Sequence, residues 1–190
     1  MKKIKLIVLV TLCVTINLNA QEHNHTNSNP DKTEITKKKP LSPHTSTMAM
    51  IGGAHIHIDY SSPGVRGRVI FGGLLPYNEV WQAGAHKATW IESNKDLIIE
   101  GKVIPAGKYG FFVIPSHKSW TIIFNKKWDQ HGKDEYHEND DVHRFEVIPN
   151  NLDVVKDHLE YEISKKSEAS GIISLAWEKI EIQFEFEIKK

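Results

Sequence analysis

The stretch IEIQFEFEI at residues 180–188 decides the fold class, because apolar and polar side chains alternate along it without a break. A period of two residues is the pattern of a β-strand with one buried face. The same alternation occurs in AHIHIDY at residues 54–60, which places Ala54, Ile56, Ile58 and Tyr60 on one side. Short runs rich in β-branched and aromatic residues predict further strands at residues 95–103, 109–114, 120–124, 142–147, 159–163 and 172–176.

Turn signals separate these runs, among them Pro105-Ala106-Gly107 and Pro115-Ser116-His117-Lys118. Several short strands joined by turns predict an all-β fold. We expect a single antiparallel β-sandwich, jelly-roll-like, with few or no short helices. A turn of helix is expected only at residues 75–80 and 151–158. The sandwich domain is predicted to span residues 47–190, with no internal repeat.

The first twenty residues have the order of a secretory signal peptide. Lys2, Lys3 and Lys5 precede a largely apolar run, and Ala20 supplies a small residue at the expected cleavage site. The apolar run is shorter than the roughly 20 residues that a membrane span needs. Cys13, the only cysteine, lies inside this segment. The sequence therefore predicts a periplasmic or secreted protein without disulfide bonds.

Residues 21–46 are polar and rich in Asn, Thr, Lys, Pro and His, and we expect a disordered leader there. Removal of residues 1–20 takes away three lysines and no acidic residue, which leaves 21 basic against 24 acidic residues and a formal net charge of −3. A nucleic-acid-binding protein would show a basic excess, so no nucleic-acid partner is expected. No cofactor is expected either.

Residues 60–125 carry many unusual residues at fixed offsets. The set is Tyr60-Ser61-x-Pro63, Arg66-Gly67-Arg68, Phe71-Gly72, Leu75-Pro76-Tyr77, Val80-Trp81, Gly84, Ala88-Thr89, Pro105-Ala106-Gly107 and Trp120. With this set, residues of about 41–188 resemble the bacterial domain of unknown function 2911 family. The resemblance implies one domain and an exported location, and it implies no particular reaction.

Arginine use is the sharpest compositional clue. The chain is rich in lysine and has only three arginines, Arg66, Arg68 and Arg144. Arginine is needed where a planar fork must bind a carboxylate or phosphate through two bonds. Each arginine either locks a loop, by pairing with a carboxylate or capping carbonyls, or binds a ligand. We expect Arg144, which follows an acidic run, to be structural, and at least one of Arg66 and Arg68 to face a ligand.

Trp81-Gln82-Ala83-Gly84-Ala85-His86 is a candidate binding rim, because it combines an aromatic residue, a permissive glycine and polar side chains. Trp-Arg-Thr-Gly-Ala-Asn is typical of the resembled family here, so Gln82 and His86 depart from its pattern. The alternative is a structural turn with Trp81 as a core residue. Tyr77, in the preceding motif, is assigned to the same predicted site.

Two further groups could carry chemistry. His55 and His57 share one face of a strand with Asp59, and such a histidine pair can reach one metal ion if a third ligand joins it. The alternative is an ordinary polar strand face, and we expect no metal site. The loop at residues 125–144 mixes histidines, carboxylates and aromatics, which suits either acid–base chemistry or loop packing.

The predicted function is a non-catalytic binding or accessory module for a small polar or anionic ligand or a glycan. The predicted ligand-binding residues are Arg66, Arg68, Tyr77, Trp81, His86 and Arg144. The first alternative is a periplasmic hydrolase or lyase that uses an Arg/His/Asp site. The second is a histidine-based metal-binding protein. The sequence leaves open whether the protein is an enzyme.

The signal assignment predicts cleavage after Ala20, because charge, apolar run and small residue occur in the order that signal peptidase requires. The intact mass of the exported protein should correspond to residues 21–190. A mass that includes residues 1–20, or a lipid adduct on Cys13, would contradict it.

Overall fold

The computed structural model describes residues 40–190, which form ten β-strands and one short 3-10 helix, Glu138–Asp140. The first five strands are β1 His44–Ile51, β2 Ala54–Ser61, β3 Thr89–Ser93, β4 Leu97–Ile99 and β5 Lys102–Ile104. The others are β6 Gly107–Ile114, β7 Trp120–Asn125, β8 Asp141–Val147, β9 Asn150–Ser167 and β10 Ser170–Ile188.

The strands form two antiparallel sheets. One sheet has six strands in the order β1-β2-β3-β6-β7-β8, and the other has four in the order β5-β4-β10-β9. Neighbours are consecutive in sequence except for the pairs β3–β6 and β4–β10. The prediction of an all-β sandwich is confirmed. Its connections are mainly hairpins, which is simpler than the two Greek keys of a jelly roll.

Left-handed residues make the tight hairpins. Gly52 and Gly53 join β1 to β2 with φ of 57° and 74°, and Glu100 and Gly101 join β4 to β5 with φ of 46° and 73°. Positive φ at both central residues matches the twist of the flanking strands. The second hairpin corrects the prediction of one strand at residues 95–103, which the structure divides into two.

The core lies between the two sheets, on the faces that the alternating patterns identify. Its buried strand residues include Ile56, Ile58, Ile91, Phe111, Ile122, Phe124, Ile173, Leu175, Ile182 and Phe186. A second, small cluster of Ala88, Phe112 and Ile123 lies on the opposite face of the six-stranded sheet. Burial of this apolar area is the main source of stability, at about 25 cal/mol per Å² removed from water.

Four aromatic side chains, Phe71, Trp81, Trp120 and Trp177, form a group that we call the aromatic junction. Phe71 lies 4.6 Å from Trp120 and 6.1 Å from Trp177 between ring centroids, and Trp81 stacks on Trp177 at 5.8 Å. Trp120 belongs to the six-stranded sheet and Trp177 to the four-stranded sheet, whereas the other two come from the β2–β3 connection. The junction therefore ties that connection to both sheets.

The two predicted helices are wrong. Residues 151–158 belong to β9, which pairs with β10 along most of its length, and residues 75–80 form turns without a helix. Antiparallel pairing with the strongly alternating β10 overrides the weak local preference of residues 151–158. Two β-bulges near Glu178, which has φ of 57°, adjust the register of this long hairpin.

The first strand begins earlier than the sequence suggested. β1 starts at His44, so residues 44–46, assigned to the predicted leader, are part of the sandwich. β1 pairs with β2 through the backbone, with His44 opposite Ser61. This pairing explains why these polar residues form a strand. Residues 1–39, which hold the predicted signal peptide and most of the leader, lie outside the described residues.

His143 is a histidine inside the sandwich, on β8. Its Nε2 lies 3.0 Å from the carbonyl oxygen of Ile99, and its ring packs at 5.0 Å from Phe145. A carbonyl group only accepts, so Nε2 carries the proton and donates it. Burial is the main cause that lowers the pKa of His143, and the charge of Lys102 acts in the same direction, against the Ile99 bond and Glu100. The folded state therefore favours the neutral ring.

We expect His143 to make the protein less stable as the pH falls. Because its folded pKa is lowered, the unfolded chain takes up a proton first, below about pH 6.5, and stability is lost from there down through the folded pKa. His143→Gln keeps a donor that does not titrate. The free energy of unfolding of this variant should therefore fall less as the pH is lowered. Urea unfolding between about pH 7 and pH 5 measures this. Exposed His131→Gln is the control, and equal slopes in wild type and His143→Gln would contradict it.

Candidate functional site

The connection between β2 and β3, residues 62–88, forms the surface on which most predicted site residues lie. It contains no strand, and individual backbone hydrogen bonds hold it to the sandwich. Val65 donates to the carbonyl of Asp157 at 2.7 Å, and Leu159 donates to the carbonyl of Pro63 at 3.0 Å. Both partners lie on β9, so the first part of the connection is fixed to the four-stranded sheet.

Arg68 closes a tight turn in this connection. Its backbone N–H and its Nε both donate to the carbonyl of Val65 at 3.1 Å, and its Nη2 donates to the carbonyl of Gly64 at 2.7 Å. Arg68 therefore caps carbonyls, one of the structural roles that the sequence left open. Within residues 40–190, its Nη1 has no hydrogen-bond partner.

Arg66 differs from Arg68 in its exposure, its backbone conformation and its contacts. It is exposed, and its backbone has the left-handed φ of 52°, followed by Gly67 with φ of 69°. A non-glycine residue with positive φ is uncommon and carries a conformational cost. No residue from 40 to 190 forms a hydrogen bond or ion pair with the Arg66 guanidinium. Its five N–H groups are therefore available within the described part of the chain.

Trp81 is a wall of the site rather than an exposed rim residue. It is only 4% exposed, it exchanges backbone hydrogen bonds with Val113 at 2.8 and 2.9 Å, and its Nε1 donates to the carbonyl of Gly84 at 3.0 Å. This confirms the core alternative for Trp81. One edge of the indole still lines a surface cleft.

A buried carbonyl fixes the loop that follows Trp81. The oxygen of Ala83, whose φ is 51°, accepts hydrogen bonds from Thr89 Oγ1 at 2.9 Å and from Tyr161 Oη at 2.7 Å. Burial raises the pKa of Tyr161 well above its ordinary value, so its hydroxyl keeps the proton that it donates. Gly84 must be glycine, because a Cβ there would lie 2.6 Å from Thr89 Oγ1.

Arg66, Arg68, Trp81 and His86 line one cleft of about 270 Å³, which we call the arginine cleft. His86 has φ of 62°, and its backbone carbonyl accepts from Gly132 at 2.7 Å, while its side chain is exposed. The other lining residues are Ser42, Pro63, Leu74, Leu75, Gln82, Gly84, Ala85 and Trp177. The structure thus brings together four of the six residues that the sequence proposed.

A second groove, of about 610 Å³, adjoins the cleft at Arg66, and we call it the N-terminal groove because residues 40–45 form one side of it. His158 lies on the other side, with its Nδ1 3.2 Å from the carbonyl of Ser62. Its ring packs over Gly64, where a Cβ would lie 3.2 Å away. Sequence reasoning missed His158, because it assigned the segment to a helix.

Tyr77 does not reach the arginine cleft. Its ring lies 4.1 Å from that of His117 between centroids, and it packs over Gly72, where a Cβ would approach the Tyr77 ring to 2.6 Å. The motif pair of Gly72 and Tyr77 is therefore explained by close packing at a turn, and the geometry gives Tyr77 no part in the cleft.

Arg144 also lies away from the cleft, where it closes the loop at residues 126–140. It pairs with Glu138 at 2.8 Å and with Asp141 at 3.3 Å. The Asp141 side chain is 5% exposed, and it also accepts bonds from Asn125 at 2.7 Å and from Tyr136 at 3.0 Å. Burial raises the pKa of Asp141, against the lowering effect of these bonds. The expectation that Arg144 is structural agrees with these contacts.

The strand pair His55 and His57 is partly covered. Their rings lie 6.1 Å apart between centroids, and His57 meets the Trp90 ring edge-on at 4.9 Å. Within residues 40–190, no three His, Cys, Asp or Glu side chains are grouped so that they could hold a metal ion.

The family comparison agrees with the motif pattern. A model of the family described as "Protein of unknown function (DUF2911)" matches residues 42–186, and the chain belongs to this family. No curated protein and no solved structure matches the chain. Over residues 40–190, we find no helix that is long and apolar enough to cross a membrane.

The contacts of Arg144 and Arg66 predict different results for the change to lysine, which keeps the charge and loses the fork. Arg144→Lys should lower the free energy of unfolding by about 1–3 kcal/mol, because Asp141 stays buried with a weaker partner. Arg66→Lys, at an exposed position without a described partner, should change it by less than about 0.5 kcal/mol. Urea unfolding compares the two, and equal losses would contradict the structural assignment.

Proposed function

We propose that this protein is an exported, non-catalytic binding or accessory module that takes a small polar or anionic ligand in the arginine cleft. The observation that carries the proposal is the state of Arg66. Its guanidinium lines the cleft and has no polar partner among residues 40–190, whereas the other two arginines are engaged in the fold. Lysine would serve here if only a charge were needed. An arginine without a described internal contact therefore indicates a ligand that needs the planar fork.

The composition of the cleft suits a small ligand. Its apolar walls come from Leu74, Leu75, Trp81 and Trp177, and its polar side chains are Ser42, Arg66, Arg68, Gln82 and His86. Small-molecule sites generally combine apolar walls with a small number of placed polar groups. A volume of about 270 Å³ is just below the usual range for such sites, so the bound part of the ligand is small.

The charge of the cleft favours an anion. Arg66 and Arg68 both line it, and its lining contains no Asp or Glu side chain. A carboxylate or phosphate group can accept two parallel hydrogen bonds from the free fork of Arg66. The Nη1 of Arg68, which has no partner among residues 40–190, is a second donor in the same cleft.

Backbone strain around the cleft supports the same conclusion. Arg66, Ala83 and His86 are non-glycine residues with φ of 52°, 51° and 62°. A non-glycine residue with such a left-handed backbone costs of order 1–3 kcal/mol, and such residues are concentrated at binding sites and active sites. Two of these three side chains, Arg66 and His86, line the cleft, so the unusual backbone serves their placement.

The N-terminal groove gives room for a longer ligand, because Arg66 lines both spaces. An anionic group held by Arg66 could continue as a chain along Tyr60 and His158. An acidic glycan has this character, since its carboxylates suit the arginine fork and its hydroxyls suit the mixed polar groups of the groove.

The hydrolase or lyase alternative requires a carboxylate or an imidazole from residues 128–144 beside the arginines, to act as acid or base. No residue of that loop lines the arginine cleft. Tyr136 and Arg144 both bond to Asp141. These contacts explain the polar residues of the loop as part of its packing instead. A binding function is therefore the one that this geometry supports best.

The test is ligand-induced thermal stabilisation of the mature protein. The probes are inorganic phosphate, succinate, glucuronate and an oligogalacturonate, with succinamide as the uncharged comparison. A ligand at 100 times its dissociation constant adds about 2.7 kcal/mol to the stability, which is a readily measured rise in melting temperature. We expect at least one anion to raise it and succinamide to have no effect.

Variants locate the binding. Arg66→Ala should abolish the rise, and Arg66→Lys should weaken it, because lysine keeps the charge without the fork. Arg144→Lys is the matched control, which should lower the melting temperature of the free protein and retain the rise. The proposal is overturned if no anion stabilises the wild type, or if stabilisation survives in Arg66→Ala.

A further inference from the structure

Two of the five tryptophans are not core residues. Trp81, Trp120 and Trp177 are 4%, 1% and 1% exposed, whereas Trp90 and Trp128 are only half-buried. These two lie together on the outer face of the six-stranded sheet, one on β3 and one on the loop after β7. They line a common pocket of about 110 Å³, which we call the tryptophan pocket. Large aromatic side chains left at the surface side by side mark a binding surface.

The two indoles are held in a fixed arrangement. Their ring centroids are 6.4 Å apart and their planes meet at 72°. The Nζ of Lys108 lies 3.8 Å from the centroid of Trp90 and 4.6 Å from that of Trp128, and it also pairs with Glu92 at 3.5 Å. Lys108 therefore contacts both rings by cation–π interactions and joins them in one arrangement without a ligand. A preorganised surface loses less entropy on binding.

Two side-chain pairs, each with an aspartate, form the polar side of the tryptophan pocket. His44 Nε2 lies 3.0 Å from Asp59 Oδ1, and Lys87 Nζ lies 3.3 Å from Asp129 Oδ1. Each pair uses one carboxylate oxygen, and over residues 40–190 the Oδ2 atoms of both aspartates have no hydrogen-bond partner. The pocket therefore offers free acceptors from the carboxylates and free donors from Lys87.

The pocket lining carries charges of both signs. Asp59 and Asp129 lie with Lys87, a formal charge of −1 with histidines counted as neutral, and Lys108, outside the lining, pairs with Glu92. An anion would lie beside the two carboxylates and a cation beside Lys87, whereas a neutral molecule with many hydroxyl groups meets both donors and acceptors. This distinguishes the tryptophan pocket from the arginine cleft, although His86 borders both.

We propose that the tryptophan pocket binds a neutral sugar ring, with Trp90 and Trp128 as its platform. A pyranose ring presents C–H groups on its face, which pack on an indole, and hydroxyls at its edge, which donate to Asp59 and Asp129. The outer side of the pocket is open, since Lys87 and Asp129 are largely exposed. The rest of an oligosaccharide chain can therefore extend into solvent.

Intrinsic fluorescence of the mature protein tests this, because a sugar in this pocket would lie against Trp90 and Trp128. The probes are the tetrasaccharides of cellulose, xylan, laminarin, amylose, mannan and chitin, each titrated to about 10 mM, since single-ring sites bind near millimolar. We expect at least one of them to shift the emission. Tetramethylammonium chloride is titrated in parallel and should cause no shift.

Four variants decide where the sugar binds. Trp128→Ala and Asp129→Asn should each weaken the affinity by about tenfold or more, which corresponds to about 1.4 kcal/mol. Asp129→Asn changes an exposed side chain without altering its shape, so it stays informative if Trp128→Ala does not fold. Arg66→Ala should leave sugar binding unchanged, which separates this site from the arginine cleft, and Lys133→Ala is a surface control.

Three results overturn the inference. The first is an emission that no tetrasaccharide changes. The second is sugar binding that survives in both Trp128→Ala and Asp129→Asn. The third is saturable binding of tetramethylammonium in place of sugar, which would make the pocket an organic-cation site. None of these results depends on whether an anion binds at Arg66.

Discussion

The aromatic junction is the contact on which the rest of the surface depends. Phe71 and Trp81 reach it from the β2–β3 connection, and they pack against Trp120 of one sheet and Trp177 of the other. A connection of this length without strands would ordinarily be mobile. Here its middle is buried in the sandwich, so the short segments on either side of the buried aromatics hold Arg66, Arg68 and His86 at one cleft. The geometry of the cleft therefore depends on the packing of the junction.

The fold was largely predictable, and the reason is the alternation in β2 and in residues 180–188 of β10. Each has a buried face whose residues recur every second position, and this pattern has no helical interpretation. The failures fall where pairing with a neighbour decides the structure. Residues 151–158 carry no strong pattern of their own, and they become strand because β10 offers a complementary edge. Residues 95–103 contain a turn in which Glu100 has positive φ. A glutamate does not predict such a backbone conformation.

The candidate site was predictable in part, and the arginines show why. Arg66 and Arg68 are two residues apart with Gly67 between them, and they line the same cleft. Their different roles depend on where the carbonyls of Gly64 and Val65 point, and a sequence does not carry that information. Arg144 was assigned by its acidic neighbours, and its contacts agree. Tyr77 belongs to the same run of motifs as Trp81, yet it turns to His117, because the chain reverses between them. His158, Trp90 and Trp128 could be found only once distant strands were brought together.

The position of β10 has a consequence for when this chain can fold. β10 is the last strand in sequence, and it lies in the interior of the four-stranded sheet, between β4 and β9. It contributes Ile173, Leu175, Trp177, Ile182, Phe184, Phe186 and Ile188 to the core. Until the ribosome has released those residues, the six-stranded sheet has no opposing layer. Pairings between residues far apart in sequence form slowly, and the pairing of Ile98 with Glu187 between β4 and β10 is of this kind. The two faces of the core can therefore close on one another only after β10 has paired with β4 and β9.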